Sequence, residues 1–325
     1  MKVQDFRTFL RTNPITGPFI SWGWRHYVTA MCESAPDDCS YIPKVKEAGR
    51  IFNGSGKSGV KSEPYQLMHN GVKIKLDSYY KNLNTEIIKY FKGHHEPQEE
   101  KVFHEILKSL PEEICMIEAG SYWGYYSMWA QKAKRSVRNI LIEPVDEHMQ
   151  IGKENFALNA MTAEFVRAYI GESSKKPHTK NLEGVTVKNL ERISIDDVMK
   201  RYDVPFAHII HADVQGAELE LLKGAENTIR NSHVGYFFLS THGDRLHALC
   251  RNFLEENNFL IVAEHTREES FSTDGLIVAR AKSYYGVDQV NISKNPKRHD
   301  ITIVVRYFLG KIRNWLFQDK RRYVG

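Results

Sequence analysis

The stretch Ile114-Cys-Met-Ile-Glu118-Ala-Gly120-Ser-Tyr-Trp-Gly124-Tyr-Tyr-Ser-Met-Trp-Ala-Gln-Lys132 decides the fold. Four mostly apolar residues run into an acid. A glycine turn then opens a segment whose apolar positions, Tyr126, Trp129, Ala130 and Ala133, recur at helical spacing. The pattern reads as buried strand, tight turn, helix. Gly120 allows a sharp turn, and Gly124 allows the start of the helix to approach a ligand closely. A dinucleotide site would carry G-x-G-x-x-G, whereas here the pattern is acidic-x-Gly-x-x-x-Gly with Tyr at 122. With no pyrophosphate cradle, the turn argues against NAD and for a nucleoside cofactor without phosphates, of which S-adenosylmethionine is the common one.

The next strand extends the argument. Asn139-Ile-Leu-Ile ends at Glu143, 23 residues after Gly120. An acid there, at the carboxyl end of the second strand, can accept hydrogen bonds from both ribose hydroxyls. A solvated strand end is the plainer alternative, and two acids on successive strand ends weigh against it.

From Ile114 onward, strands and helices alternate. Strands are expected at 114–118, 139–143, 163–170, 207–213, 234–240, 259–264 and 275–281, and helices near 123–133, 146–159, 195–201, 216–230 and 244–257. Residues 171–192 are polar and read as a connection over the sheet. The alternation predicts an α/β, doubly wound, Rossmann-like parallel sheet with its site at the carboxyl ends of the central strands. The fourth strand leads into His208-Ile-Ile-His-Ala-Asp213-Val-Gln-Gly216-Ala-Glu218-Leu-Glu-Leu-Leu-Lys-Gly224, and the fifth ends at Thr241-His242-Gly243. An acid and an imidazole on adjacent strand ends can hold an acceptor hydroxyl and remove its proton. The same pair is a ligand set for a divalent metal. Alternatively Asp213 only caps the following helix and His242 is a satisfied loop histidine. His94, His95 and His211 read as ordinary, since nothing in the sequence supplies their partners.

Upstream, residues 1–60 are irregular. Phe19, Trp22, Trp24 and Tyr27 suggest packing, and Pro14, Pro18, Pro36 and Pro43 interrupt any long helix. Asn53-Gly-Ser-Gly-Lys-Ser-Gly superficially suggests a phosphate loop. However, Ile stands at 51 where that loop needs glycine, so a flexible loop is the better reading. Residues 65–76 form two strand-like runs around Asn70-Gly71, a strong hairpin signal. Pro97 opens a helix with acids in its first turn that delivers the chain into the first core strand, placing His95, Glu96 and Gln98 beside the cofactor mouth.

At 325 residues with 42% apolar content, the chain can bury a real core. No apolar signal region opens it and no run approaches a spanning length, so a cytoplasmic protein is expected. Cys32, Cys39, Cys115 and Cys250 lack zinc spacing and read as reduced thiols. The net charge of +5 is uneven, because nine Lys/Arg against two Asp lie from Lys294 onward. The preceding residues therefore carry a net −2.

These residues together resemble the FkbM-type methyltransferases, a branch of the class I S-adenosylmethionine-dependent enzymes. The resemblance spans about residues 93–282. It rests on Glu96-Pro97, on Glu118-Ala-Gly120-Ser-Tyr-Trp-Gly124-Tyr-Tyr-Ser, on Glu143-Pro144 with Asn155 and Leu158-Asn159, on Ile195-Asp196-Asp197 and, most specifically, on Asp213-Val-Gln-Gly216-Ala-Glu218-Leu-Glu-Leu-Leu-Lys-Gly224-Ala. Glu118 stands where Asp is usual, Gln215 where Glu is common, and Tyr122-Trp123 where smaller residues are frequent. The resemblance implies a seven-strand methyltransferase sheet and O-methylation, often of sugars or other hydroxyl-bearing acceptors. It implies that Glu118, Gly120 and Gly124 hold the methionyl end, that Glu143 holds the ribose, and that Asp213 faces the methyl. Glu96, Gln98, Ser121, Tyr122, Pro144, Ala168 and Tyr169 complete the expected cofactor lining. Asp213 and His242 are the expected catalytic pair, and a divalent metal on them is left open.

Three regions follow: an N-terminal extension (1–92) on the acceptor side, the methyltransferase domain (93–290), and a basic C-terminal helix (291–325). In the last, Ile301, Val304, Val305, Phe308, Leu309, Ile312, Trp315 and Leu316 fall at helical spacing. Such a helix lies on an anionic membrane surface, or packs on its own domain or on a second subunit. Two other function classes are a nucleic-acid methyltransferase, which the acidic body disfavours, and a non-catalytic cofactor-binding module.

Overall fold

The computed structural model describes residues 38–53, 63–79, 82–182 and 185–295. The basic C-terminal stripe, the N-terminal aromatics and most of the glycine-rich loop after Asn53 lie outside the described residues. Pro36 to Lys294 form one compact unit.

In chain order the elements are α1 (Asp38–Tyr41), β1 (Ile51–Phe52), β2 (Tyr65–Leu67), β3 (Lys73–Lys75), α2 (Asn82–Tyr90), α3 (Pro97–Ser109), β4 (Glu113–Ala119), α4 (Tyr125–Ala133), β5 (Ser136–Ile142) and α5 (Asp146–Leu158). They continue with β6 (Glu164–Val166), β7 (Ala168–Ile170), β8 (Lys175–Leu182), β9 (Val185–Ile193), α6 (Ile195–Arg201), β10 (Ala207–Ala212), α7 (Glu218–Lys223), α8 (Glu226–Arg230), β11 (Val234–Thr241), α9 (Asp244–Glu256), β12 (Phe259–His265) and β13 (Gly275–Ala281).

Seven strands form the central sheet in the order β12-β13-β11-β10-β4-β5-β6. All neighbours are parallel except β13, which runs antiparallel to both β11 and β12. The chain leaves β4 toward one edge and returns through β10 toward the other, so the order reverses between these two strands. That reversal opens a crevice at their carboxyl ends. Every residue of β11 and β13 is buried, as a sheet covered on both faces requires. Successive side chains alternate between two cores. Met116 and Phe238 pack with Phe103, Trp129 and Phe156 on one face. Ile117 and Phe237 pack with Ile210, Leu239 and Leu254 on the other.

Three expectations need correction. Residues 163–170 are two short strands in different sheets, because β6 pairs with β5 while β7 leaves to pair with β9. The polar connection expected at 171–192 is a hairpin, β8 against β9, completing a three-stranded sheet with β7. Its apolar signal is confined to positions such as Val187, Leu190 and Ile193, which are buried, and Asn189 at φ +52 breaks their alternation. The helix expected at 216–230 is two short helices. A Cβ on Gly224 between them would lie 2.5 Å from the Gly171 carbonyl oxygen. Asp196 caps the second helix by accepting from the amides of Asn227 and Thr228 at 2.9 and 2.8 Å.

The hairpin at Asn70-Gly71 forms as β2 against β3, and β1 adds a third strand. Asn155 and Asn159 on α5 pin this sheet: their side-chain oxygens accept from the Lys75 and Lys73 amides at 2.8 and 2.9 Å. Asn159 also donates to the Lys73 carbonyl. The two asparagines of the family pattern thus act as an edge strand for the hairpin.

Candidate active site

At the reversal point the loops after β4 and β10 touch. The Asp213 amide donates to the Ala119 carbonyl at 3.0 Å, and the Gly120 amide to the Ile142 carbonyl at 2.9 Å. Gly120 has φ +71, and a Cβ there would lie 1.8 Å from the Asp213 carbonyl oxygen. Its glycine is demanded by the neighbouring loop as well as by the turn. Gly124 (φ +68) is likewise required by packing, since a Cβ would sit 2.8 Å from the Phe156 ring.

The acids of the two strand ends hold backbone. Glu118, buried, accepts from the Ser127 amide at 3.0 Å and so caps α4. Burial raises its carboxyl above the ordinary range. Glu143 accepts from the amides of Tyr122 at 3.1 Å and Val145 at 2.9 Å. The Tyr122 ring stacks on His148 with centroids 3.9 Å apart, and its backbone sits at φ +39. Glu143 is 4% exposed. Its carboxylate is thus occupied by the backbone of the Tyr122 and Val145 turns.

His242, following β11, is the hub of the second cluster. Its Nδ1 lies 2.7 Å from Glu218 Oε1, and its Nε2 lies 3.3 Å from Asp213 Oδ1 and 3.6 Å from Asp274 Oδ1. Glu218 also accepts from the Gly216 amide at 3.1 Å, and Gln215 donates to Asp213 Oδ1 at 3.0 Å. Withdrawal from water, reinforced by Glu96, Asp274 and Glu99, raises the Asp213 carboxyl to about 7 against the opposing pull of His242. Burial alone would lower His242, but the Glu218 hydrogen bond and the Asp213 and Asp274 charges outweigh it and raise the imidazole to about 9.

The first two turns of α3 and the residues before it supply a third group. Glu99 Oε1 lies 2.7 Å from His211 Nε2, and Ser240 donates to Glu99 Oε2 at 3.3 Å. His95 sits between Glu96 (3.0 Å) and Glu100 (3.0 Å). Burial opposes its charge, but the two acids prevail and raise it to about 10. The Tyr126 hydroxyl donates to Glu96 at 3.2 Å. Glu96, Glu99, Ser240, His265, Asp274 and Gly275 line one recess.

The structure brings Asp213 and His242 together and sets Glu96 at the recess. Gln98 also borders it, but its side chain is a strut. It donates to the Glu269 and Ser293 carbonyls at 2.9 and 2.7 Å and accepts from the Phe271 amide at 2.9 Å. Ala168, the first residue of β7 in the small sheet, is fully buried, and Tyr169 beside it is half-buried. Pro144 follows Glu143 at the start of the turn into α5. His95 and His211, read as ordinary, have carboxylate partners. Glu99, Glu100, Asp274 and Ser240 carry no signal of this kind beyond the helical spacing of the acids at 96, 99 and 100.

Among the described residues, Ser121 Oγ, His211 Nδ1, Glu218 Oε2 and His242 Nε2 are buried without hydrogen-bond partners. Unpaired buried polar atoms around a crevice suit a polar ligand. The excess of carboxylates there suits the cationic sulfonium and ammonium of S-adenosylmethionine.

The sheet order, with its single antiparallel strand at β13, is that of the Rossmann-like class I methyltransferase fold. Residues 115–261 match the family described as the methyltransferase FkbM domain. This part of the chain is thus similar to the methyltransferase FkbM domain, and a methyltransferase domain of this kind implies S-adenosylmethionine as cofactor. No curated protein matches the chain. Among solved structures it is similar to a methyltransferase FkbM from Methylobacillus flagellatus KT, at 16% identity over 60% of this chain and 52% of that one, with TM-score 0.41. It is also similar to a precorrin-6y C5,15-methyltransferase from Geobacter metallireducens GS-15, at 13% identity over 57% and 87%, with TM-score 0.39. A third likeness is Sp1610 of Streptococcus pneumoniae, a putative tRNA (m1A22) methyltransferase, at 15% identity over 59% and 72%, with TM-score 0.37. No described helix is long and apolar enough to cross a membrane.

Proposed function

We propose that this domain transfers a methyl group to a hydroxyl of a sugar, a glycan or a related small acceptor. The observation that carries this reading is the chain of contacts Asp213–His242–Glu218. S-adenosylmethionine, when bound, supplies the electrophilic methyl. A protonated sugar hydroxyl is a poor nucleophile, so the protein must take its proton. Asp213 is suited to that step. Its carboxyl, raised to about 7, stays half ionised at neutral pH and gains basicity without becoming permanently protonated. Oδ1 is engaged by Gln215 and faces His242, leaving Oδ2 to accept the hydroxyl proton. His242 is a positioning residue, held as an imidazolium by Glu218 through Nδ1, and it keeps Asp213 from becoming a permanently neutral acid.

The carboxylates of Glu96, Glu99 and Asp274 suit a neutral polyhydroxylated acceptor, whose hydroxyls donate to them, and repel phosphates. This weighs against nucleic acid. Glu118, Ser121, Tyr122 and Glu143 are the residues we assign to the cofactor side, with the Tyr122–His148 stack opening over Glu143. The first test is calorimetric titration of S-adenosylhomocysteine into the wild type and Glu143→Ala, followed by acceptor screening with Asp213→Asn as control. Binding lost in Glu143→Ala, and neutral sugars methylated by the wild type but not by Asp213→Asn, are the expected outcomes. Equal turnover in Asp213→Asn would remove it from the reaction, and binding without transfer to any acceptor would favour a non-catalytic module.

A further inference from the structure

A further cluster of donor atoms adjoins the Glu96–His95 group through Glu100 and plays no part in the proposed reaction. His69 stands between β2 and β3, His94 just before α3, and Glu100 in the first turns of α3. All three are fully buried. Their backbone brings them together deliberately: the His69 amide donates to the Gly93 carbonyl at 3.0 Å. A Cβ on Gly93 (φ +94) would lie 2.2 Å from that amide nitrogen. Only glycine lets the two segments approach this closely, and the approach stacks the His69 and His94 rings at 4.0 Å between centroids.

The carboxylate of Glu100 faces both rings. Its Oε2 bonds His94 Nδ1 and lies 3.9 Å from His69 Nε2. Its Oε1 is anchored by the His95 amide at 3.2 Å and His95 Nδ1 at 3.0 Å. One ligand atom from each of the three residues falls within 4.8 Å of the others. Meanwhile both ring nitrogens of His69, and Nε2 of His94, are buried with no hydrogen-bond partner. Such buried groups are destabilising until a ligand satisfies them. The Trp129 ring, edge-on at 4.6 Å, can offer His69 no more than a weak N–H···π contact.

We propose that His69, His94 and Glu100 bind a divalent transition-metal ion, which fastens the β2–β3 hairpin to α3. Two imidazoles and a carboxylate are a donor set that zinc favours, with a fourth position for water. His95 is the outer partner that orients the carboxylate. Binding tilts the two imidazoles out of their parallel stack until one lone pair of each meets the ion. It replaces the His94–Glu100 hydrogen bond, and that proton leaves to solvent.

The test uses the full chain. Protein purified without chelator is assayed by elemental mass spectrometry, then stripped with a chelator, reloaded with zinc or cobalt(II), and melted in each state. We expect close to one zinc per chain, a lower melting temperature after stripping, and a cobalt absorption spectrum of low coordination number. Glu100→Gln and His69→Phe should weaken zinc binding at least tenfold, while Asp213→Asn should retain it. A chain that takes up no ion after loading overturns the site. So does an ion held equally well by Glu100→Gln, or one lost with Asp213→Asn. Should His69→Phe fail to fold, Glu100→Gln and the wild-type cobalt spectrum decide.

Discussion

Replacing His242 by Gln keeps a neutral donor near Asp213 but removes the imidazolium, which isolates the charge coupling in the proposed base. The separation of 3.3 Å gives about 2.5 kcal/mol at an effective dielectric of about 40 and about 1.3 kcal/mol in bulk water. The Asp213 side chain is 33% exposed, so this watery half of the range applies rather than the value for a dry interior. The loss corresponds to a rise of roughly 1–2 pK units. Asp213, at about 7 in the wild type, then moves to roughly 8–9. As a base it works when ionised, so the acid limb of activity moves upward with it. At pH 7 the ionised fraction falls by roughly fivefold to fiftyfold, and raising the pH recovers it. Carbon-detected NMR of protein labelled at the aspartate carboxyl carbon reads this directly and needs no acceptor. The Asp213 resonance is assigned by its absence in Asp213→Asn. A midpoint that stays put or falls in His242→Gln would refute the coupling and the role built on it.

Gly120→Ala should cost more than about 3 kcal/mol in chemical denaturation or prevent folding, because its Cβ meets the Asp213 carbonyl at 1.8 Å and φ is +71; a cost under about 1 kcal/mol would mean that the loops part easily. Glu143→Ala strips the acceptor from the Tyr122 and Val145 amides and should lower stability by about 2–4 kcal/mol as well as abolishing S-adenosylhomocysteine binding. Glu218→Gln should lower turnover while leaving cofactor affinity near wild type, since Glu218 touches His242 and the Gly216 amide; a matching drop in affinity would place it on the cofactor side instead. For the basic stripe beyond Lys294, co-sedimentation with anionic vesicles, compared with a chain ending near Asn291, separates the two readings: reduced partitioning of the shorter chain would support membrane contact, and equal partitioning would end that reading in favour of packing on the domain or on a second subunit.

The strand–turn–helix at 114–132 was legible because its chemistry is local. A buried run, a turn glycine and helical apolar spacing each depend on neighbours in sequence. The strand ends at Glu143 and Asp213 followed from the same periodicity, and with them the crevice between β4 and β10. The hairpin β8–β9 was not legible, since its polar edge strand carries little apolar alternation and its pairing is decided by β7. The break at Gly224 depends on the Gly171 carbonyl, 53 residues earlier in the chain.

What the amino-acid sequence determined by itself is the class of fold, the resemblance to the FkbM domain and the positions of the acids at the strand ends, because these rest on periodicities and on motif residues close together in the chain. Only the tertiary structure decided what those acids face. Glu118 and Glu143 hold backbone amides, Asp213 and Glu218 bracket one imidazole, and α3 sets Glu99 and Glu100 against histidines from β10 and the hairpin turn. A carboxylate's role depends on what lies within about 4 Å of it. In a parallel sheet with crossover connections, those neighbours come from strands far apart in sequence.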